Sequence, residues 1–152
     1  MIRGAMLSFL PYRMRIFKSI CYVTFARIVP NGISVVGRIG NGDKIIHFDG
    51  HMDTVKVNDE EYWQVSPFSG DKVDGAIWGR GSVDMKSALC SSIYAAAAAR
   101  DMGYIKDKTI YVTGTVCEEY CDGENLKHFY KEFNLKPDYC IICEPCDNVI
   151  TL

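Results

Sequence analysis

The residues KIIHFDGHMDT, numbered 44–54, decide the fold and the site expected in this chain of 152 residues. Lys44–Asp49 is a short apolar run with β-branched and aromatic members, which predicts a strand. A glycine follows, and then His51 and Asp53. An imidazole and a carboxylate at this position would lie at the carboxyl end of a strand, which is where open α/β sheets bind their ligands.

Around this stretch, predicted strands alternate with predicted helices. Further strands are expected at Ile33–Arg38, Ala76–Trp78, Thr109–Thr115 and Tyr139–Cys143, with a tight hairpin-like turn at Gly40–Gly42. Small and apolar residues recur at a helical period from Met85 to Arg100, and a shorter helix is expected from Asn125 to Phe133. The alternation predicts an α/β fold, a three-layer α/β/α domain with a mostly parallel sheet.

The composition excludes several classes of protein. Hydrophobic residues make up 48% of the chain and charged residues 24%, which is typical of a soluble globular domain. No apolar run approaches the ~18 residues of a membrane span, and a net charge of −2 offers no basic surface for nucleic acid. The odd number of seven cysteines, without a clear secretory signal, predicts reduced thiols and a cytoplasmic location.

Residues 1–30 differ from the rest of the chain. They contain no acidic residue, and their basic residues are Arg3, Arg13, Arg15, Lys18 and Arg27. These charges interrupt the apolar stretch, which disfavours a signal peptide, and the small number of serines disfavours a transit peptide. We interpret residues 1–30 as a basic leader that is disordered or not native to the fold, for instance from a misread start or a frameshift. Residues 31–152 are assigned to the domain.

Carboxylates follow the other predicted strands as well. Asp84, the pair Glu118–Glu119 and Glu144 lie just beyond the third, fourth and fifth strands. Because the carboxyl ends of parallel strands converge on one rim, these groups and His51 are expected to share a pocket. Carboxylates gathered without a cation would repel each other. The pocket therefore predicts a divalent metal, and nitrogen and oxygen donors favour zinc, with cobalt and manganese as alternatives.

Each of these signals also has a purely structural interpretation. Asp84 alone fits a helix N-cap, and Glu118–Glu119 alone fits an exposed pair. The cysteines at 140, 143 and 146 raise the alternative of a thiolate cluster. Side chains three apart on a strand point to opposite faces, so Cys140 is expected in the core, away from Cys143.

Four motifs resemble the zinc aminoacylase/carboxypeptidase family, which includes acetylornithine deacetylase, succinyl-diaminopimelate desuccinylase, glutamate carboxypeptidase and aminoacylase. The motifs are Gly50–Val55, Trp78–Lys86, Glu118–Glu119 and Cys143–Pro145, and the resemblance covers residues 31–152. It implies that the chain is an amino-terminal fragment of a zinc-peptidase-like catalytic domain, without the lid or dimerisation domain of the family.

The resemblance also implies a role for each site residue. His51, Asp84 and Glu144 would hold one metal ion, and Asp84 would bridge to a second ion that Glu119 binds. Asp53 would hydrogen-bond His51 and fix its tautomer. Glu118 would be the general base that takes a proton from a metal-activated water and passes it to the leaving amine. A cis peptide bond is implied between Asp84 and Met85.

The function implied by the resemblance is metal-dependent hydrolysis of an amide bond in a small peptide or an N-acyl amino acid. Two zinc ions would be the cofactors, and a homodimer is expected only if the missing domain is present. The distant histidine that completes the second metal site in the family is not found in this sequence. We therefore expect weak binding of the second metal and feeble hydrolysis by the chain alone. The alternative is a non-catalytic remnant that binds metal.

Overall fold

The computed structural model describes residues 22–29, 32–147 and 149. The strands are β1 (Tyr22–Val29), β2 (Gly32–Gly40), β3 (Lys44–His51), β4 (Lys72–Val73), β5 (Ala76–Ile77), β6 (Lys108–Thr115) and β7 (Tyr139–Ile142). The helices are α1 (Ser87–Asp101), α2 (Glu118–Cys121) and α3 (Glu124–Glu132). A short 3₁₀ turn covers Glu60–Tyr62, and a wide irregular turn, Ser82–Lys86, leads into α1.

One five-stranded sheet organises the chain, with its strands in the order β1-β2-β6-β3-β7. The pairings of β1 with β2 and of β2 with β6 are antiparallel. β3 lies between β6 and β7 and is parallel to both. The α/β fold class is confirmed. The sheet is mixed, and its parallel half is the part that brings three strand ends to one edge.

Helices cover both faces of the sheet, which confirms the three-layer arrangement. α1 packs on one face, where Ala96 lies in a cluster with Ile110 and Val112. α3 packs on the other face through Phe129, which is fully buried beside Val36. Alternate residues of β6 face opposite layers because side chains alternate along a strand. Complete burial of an aromatic side chain such as that of Phe129 contributes about 1.5–3 kcal/mol.

The predicted strands and helices around the site are found within two residues of their expected ends, with one informative difference. The long helix begins at Ser87 and not at Met85, because Asp84 and Met85 have non-helical backbone angles. Met85 is nevertheless fully buried, so its place in the apolar stripe reflects packing and not helix geometry.

Two local predictions are wrong. Gly40–Gly42 does not close a hairpin, because β6 lies between β2 and β3 in the sheet. The strand expected at Ala76–Trp78 is not part of this sheet; Ala76 and Ile77 pair with Lys72–Val73 in a separate two-stranded hairpin. The turn of this hairpin is Asp74–Gly75, and both residues have positive φ, as a type I′ turn requires.

Gly42 lies where the β2–β3 connection crosses the start of β6. Its amide donates to the carbonyl of Lys108 at 3.2 Å, and a Cβ at this position would lie 1.9 Å from the backbone of Asp107. We expect Gly42→Ala to lower the free energy of unfolding by about 3 kcal/mol, since rigid backbone must move. Urea denaturation measures it. Gly103→Ala, at positive φ with open space around it, is the control, with an expected loss of about 1 kcal/mol.

The strand β1 lies inside the stretch interpreted as a basic leader. It pairs with β2 from Tyr22 to Val29, so the sheet extends into residues 1–30. The interpretation of residues 1–21 and of Pro30 falls outside the described residues, and the native or foreign origin of the leader stays a prediction. Within the described part of the chain, no helix combines the length and apolarity needed to cross a bilayer.

Candidate metal centre

The parallel half of the sheet brings three of the expected site residues together. His51 is the last residue of β3, and it lies opposite Thr115 at the end of β6. Glu118 follows β6 after a short turn, and Glu144 follows β7 by two residues. Because β6 and β7 flank β3 in parallel, their carboxyl ends meet around the imidazole.

The His51 side chain is almost completely buried, at 1% exposure, and carboxylates surround its Nε2 atom. This atom lies 2.8 Å from Asp84 Oδ1, 3.5 Å from Glu144 Oε1 and 3.7 Å from Glu118 Oε2. The acidic groups come from three separate segments of the chain. The expected convergence of distant residues on His51 is therefore present in the structure.

The other ring nitrogen defines the tautomer of His51. Its Nδ1 lies 2.9 Å from the backbone carbonyl oxygen of Asp53. A carbonyl only accepts hydrogen bonds, so Nδ1 carries a proton and donates it. In the neutral ring, Nε2 then presents a lone pair to the carboxylates. A cation between them removes the repulsion, and one imidazole with several carboxylates is a donor set that suits zinc.

Asp84 reaches the centre from the irregular turn Ser82–Lys86 and not from the end of a sheet strand. The peptide bond between Asp84 and Met85 is cis, as the family resemblance implies. Met85 packs beneath the site, where its sulfur accepts a hydrogen bond from the His51 amide at 3.2 Å. The segment before α1 thereby places the Asp84 carboxylate against the imidazole.

The Asp53 carboxylate has a different principal contact from the one expected. It lies 3.6 Å from His51 Nδ1, beyond hydrogen-bond distance, because the Asp53 carbonyl occupies that position. Its oxygens instead accept hydrogen bonds from the amides of Glu118 and Glu119, each at 3.3 Å. Asp53 thus holds the turn that presents both glutamates, a contact that the spacing of the motif does not reveal.

Glu119 is oriented by the backbone next to Asp53, since its Oε1 accepts from the Val55 amide at 2.8 Å. Among the described residues, the ligand atoms that lie within 4.8 Å of one another form two sets. One is His51 with Glu118 and Glu144, and the other is His51 with Asp84 and Glu119. The resemblance groups the acids differently, with Asp84 and Glu144 on one ion. Both sets depend on the same imidazole.

The clustered charges shift the protonation equilibria of the site. Burial disfavours a charged His51, but hydrogen bonds to Asp84 and Asp53, with the nearby glutamates, outweigh it and raise its pKa. Burial also raises the pKa of Glu118 and of Glu144, and neighbouring carboxylates add to this while His51 opposes it. Raised carboxyl pKa values are expected where acids share a site without a cation.

The cysteines do not form an alternative centre in the part of the chain that is described. Neither close-packed ligand set contains a cysteine. Cys140 contacts Tyr130 of α3, whereas Cys143 lies 3.3 Å from Ser92 of α1, so the two thiols are on opposite faces of the sheet as predicted. Cys140 is exposed, however, and the expectation that it is a core residue is wrong.

Comparison with known proteins shows the family that the chain matches. The family model described as "Peptidase family M20/M25/M40" matches residues 47–152. The chain is 34% identical over 114 residues to the uncharacterised protein YgeY of Escherichia coli (strain K12), covering 75% of the chain and 28% of YgeY. It is 32% identical over 131 residues to succinyl-diaminopimelate desuccinylase of Ehrlichia chaffeensis, covering 81% of the chain and 33% of that enzyme.

A solved structure shows the same fold. The M20 family metallo-carboxypeptidase Sso-CP2 from Sulfolobus solfataricus matches with a TM-score of 0.67 and 21% identity. The match covers 85% of this chain and 29% of that one. The chain therefore spans roughly a third or less of the length of these relatives, with 28% of YgeY and 33% of the desuccinylase covered.

Proposed function

Because the chain belongs to the M20/M25/M40 peptidase family, we propose that it carries a metal-binding part of a hydrolase for amide bonds. The observation that supports this most strongly is His51, whose Nε2 faces three carboxylates within 3.7 Å. We propose His51, Asp84, Glu119 and Glu144 as the ligands, in a partial catalytic domain that covers residues 31–152 and whose sheet also includes β1.

The metal is proposed to be zinc, with cobalt or manganese as substitutes, because the donors are nitrogen and oxygen. When bound, such a cation polarises an amide carbonyl and lowers the pKa of water. The chain supplies the proton transfer. Glu118 is half-buried with its carboxylate 3.7 Å from His51 Nε2, a position that suits a general base that would take a proton from the attacking water and give it to the leaving amine.

The proposed substrates are small, with an amide bond to an acyl group or a second amino acid. A relative of this chain is named a desuccinylase and a structural neighbour a carboxypeptidase, which supports an amide as the reacting group. A reducing compartment such as the cytoplasm is proposed because six cysteines of the described residues are free thiols. A homodimer is proposed only for a form that includes a dimerisation domain.

We further propose that the chain alone is a weak catalyst. The two close-packed ligand sets share one imidazole, so two cations cannot each have a histidine from these residues. Two-metal hydrolases use both ions to stabilise the attacking and leaving groups. A single well-bound ion would leave part of that stabilisation missing.

An assay of acyl amino acids and dipeptides tests this proposal. The Zn²⁺-loaded chain is expected to release amine slowly from at least one N-acetyl, N-succinyl or dipeptide substrate, and a chelator is expected to stop the release. Turnover that persists after chelation would contradict the metal-dependent mechanism. Zn²⁺ binding without turnover would favour the alternative, a non-catalytic metal-binding remnant.

A further inference from the structure

A row of buried polar side chains lies on the α3 face of the sheet, next to the metal centre but not part of it. His47 and Asp49 of β3 and Thr113 of β6 are exposed by 0%, 5% and 0%. None of them is among the proposed ligands or the general base. Burying an imidazole and a carboxylate in a sheet that apolar residues could fill is costly. Their presence requires an explanation other than packing.

The three side chains form one hydrogen-bonded chain. Thr113 Oγ1 donates to Asp49 Oδ1. The same Thr113 Oγ1 lies 2.9 Å from His47 Nε2. On the far side of the ring, His47 Nδ1 lies 2.7 Å from the Tyr130 hydroxyl. Tyr130 in turn lies 3.1 Å from the Cys140 sulfur. This hydrogen-bonded chain of side chains therefore runs from Tyr130 on α3, through His47 on β3 and Thr113 on β6, to Asp49.

The carboxylate fixes the direction of the hydrogen bonds between Tyr130 and Asp49. An ionised Asp49 only accepts, so Thr113 donates to it and must accept from His47 Nε2–H. The neutral ring then has a bare Nδ1, which can accept a hydrogen bond from the Tyr130 hydroxyl. Burial supports the neutral ring, since it lowers the pKa of His47 to about 4. The donors of Tyr130, His47 and Thr113 then point toward Asp49.

Asp49 also lies close to the metal centre along the strand. Asp49 and His51 are two residues apart on β3, so their side chains are on the same face. Their partners across the strand pair are Thr113 and Thr115. Burial raises the pKa of Asp49 to about 6, and the nearby His51 opposes that rise.

We propose that Asp49 is a positioning residue for the metal centre: it is a buried counter-charge behind His51, held in place by the Thr113–His47–Tyr130 chain. This rests on the proposed function, since it assigns the residues that tune the same site. These hydrogen bonds connect the Asp49 carboxylate to α3 and keep it from turning toward solvent. The buried negative charge then favours a divalent cation on His51 more than an uncharged side chain would.

Titration with Zn²⁺ in a calorimeter at neutral pH measures the effect. Asp49→Asn keeps the shape and removes the charge, and it is expected to lower Zn²⁺ affinity about tenfold, the low end of the range for groups behind metal ligands. Thr113→Val breaks the hydrogen-bonded chain and is expected to lower Zn²⁺ affinity about threefold or more. Thr113→Ser keeps the hydroxyl and is expected to keep the Zn²⁺ affinity of the wild type.

The matched control is Thr109→Val. Thr109 is another buried threonine of β6, but it donates to the Gly42 carbonyl at the opposite end of the strand. Its loss is expected to affect stability without changing Zn²⁺ affinity. Equal Zn²⁺ affinity in the wild type and Asp49→Asn would overturn the proposal, as would equal losses in Thr113→Val and Thr109→Val.

A readout without metal separates this proposal from the proposed function. Nitrogen NMR of the metal-free wild type is expected to show His47 with a proton on Nε2 and none on Nδ1, and Thr113→Val is expected to lose that preference. The opposite His47 tautomer in the wild type would contradict the proposed direction of the hydrogen bonds between Tyr130 and Asp49. The wild type could show the expected His47 tautomer and yet bind no Zn²⁺. In that case the proposed function and the role of Asp49 at the metal both fail, and only the direction of the hydrogen bonds from Tyr130 to Asp49 stands.

Discussion

Replacing His51 by alanine is expected to lower the affinity of the chain for Zn²⁺ by roughly 100-fold or more, beyond the loss usual for groups behind the ligands. His51 is the one residue that both close-packed ligand sets share. Its removal also leaves Asp84, Glu118 and Glu144 close together without the imidazole. The measurement is bound zinc per chain after gel filtration, by elemental analysis, together with a calorimetric titration.

The control for this substitution is His128→Ala. His128 is an exposed histidine on α3, so its replacement makes the same chemical change away from the centre. We expect it to keep the zinc content of the wild type. Equal zinc content in the His51 and His128 variants would mean that the ion binds elsewhere.

Replacing Glu118 by glutamine is expected to lower the rate of hydrolysis by about 10²–10⁴-fold, the usual contribution of a general base. Glutamine keeps the size of the side chain but cannot take a proton from water. Zn²⁺ affinity is expected to stay within about threefold of the wild type, because the role proposed for Glu118 is proton transfer and not ligation. Hydrolysis and affinity are measured on the same preparations.

This pair of readouts decides between two roles for Glu118. The structure places its carboxylate within one ligand set, with His51 and Glu144, so ligation is a real alternative. A loss of Zn²⁺ affinity as large as in His51→Ala would assign Glu118 to the metal and contradict the base. Glu61→Gln, at an exposed position of the 3₁₀ turn, controls for the amide substitution itself.

Much of the fold could be predicted because its main elements follow local rules. The β-branched run Thr109–Thr115 and the alanine-rich helix differ from the structure by only one or two residues at their ends. The pairing of strands is not local. Gly40–Gly42 has the residues of a hairpin turn, yet β6, far along the chain, inserts between its flanking strands.

The site was predictable where it depends on strand ends. His51, Glu118 and Glu144 follow three adjacent parallel strands, so the rule that ligands gather at such ends is sufficient for them. Asp84 reaches the site by another route, from a turn after a separate hairpin. The Asp74–Gly75 pair is a hairpin signal that could have revealed this, since Asp-Gly favours two-residue turns.

Contacts made by the backbone could not be read from the motifs. The hydrogen bond to His51 Nδ1 comes from the Asp53 carbonyl, while the Asp53 carboxylate binds the Glu118 and Glu119 amides. Which end of a residue faces a neighbour depends on the path of the loop. The spacing of histidine and aspartate alone contains no information on that path.

The central claim is that His51 and the carboxylates coordinate the same ion. X-ray absorption at the zinc edge of the Zn²⁺-loaded chain tests it most directly. The account predicts a shell of nitrogen and oxygen ligands at about 2.0–2.2 Å with the outer scattering of an imidazole, and that this imidazole signal disappears in His51→Ala. A sulfur shell at about 2.3 Å, or an imidazole signal that survives in His51→Ala, would contradict it.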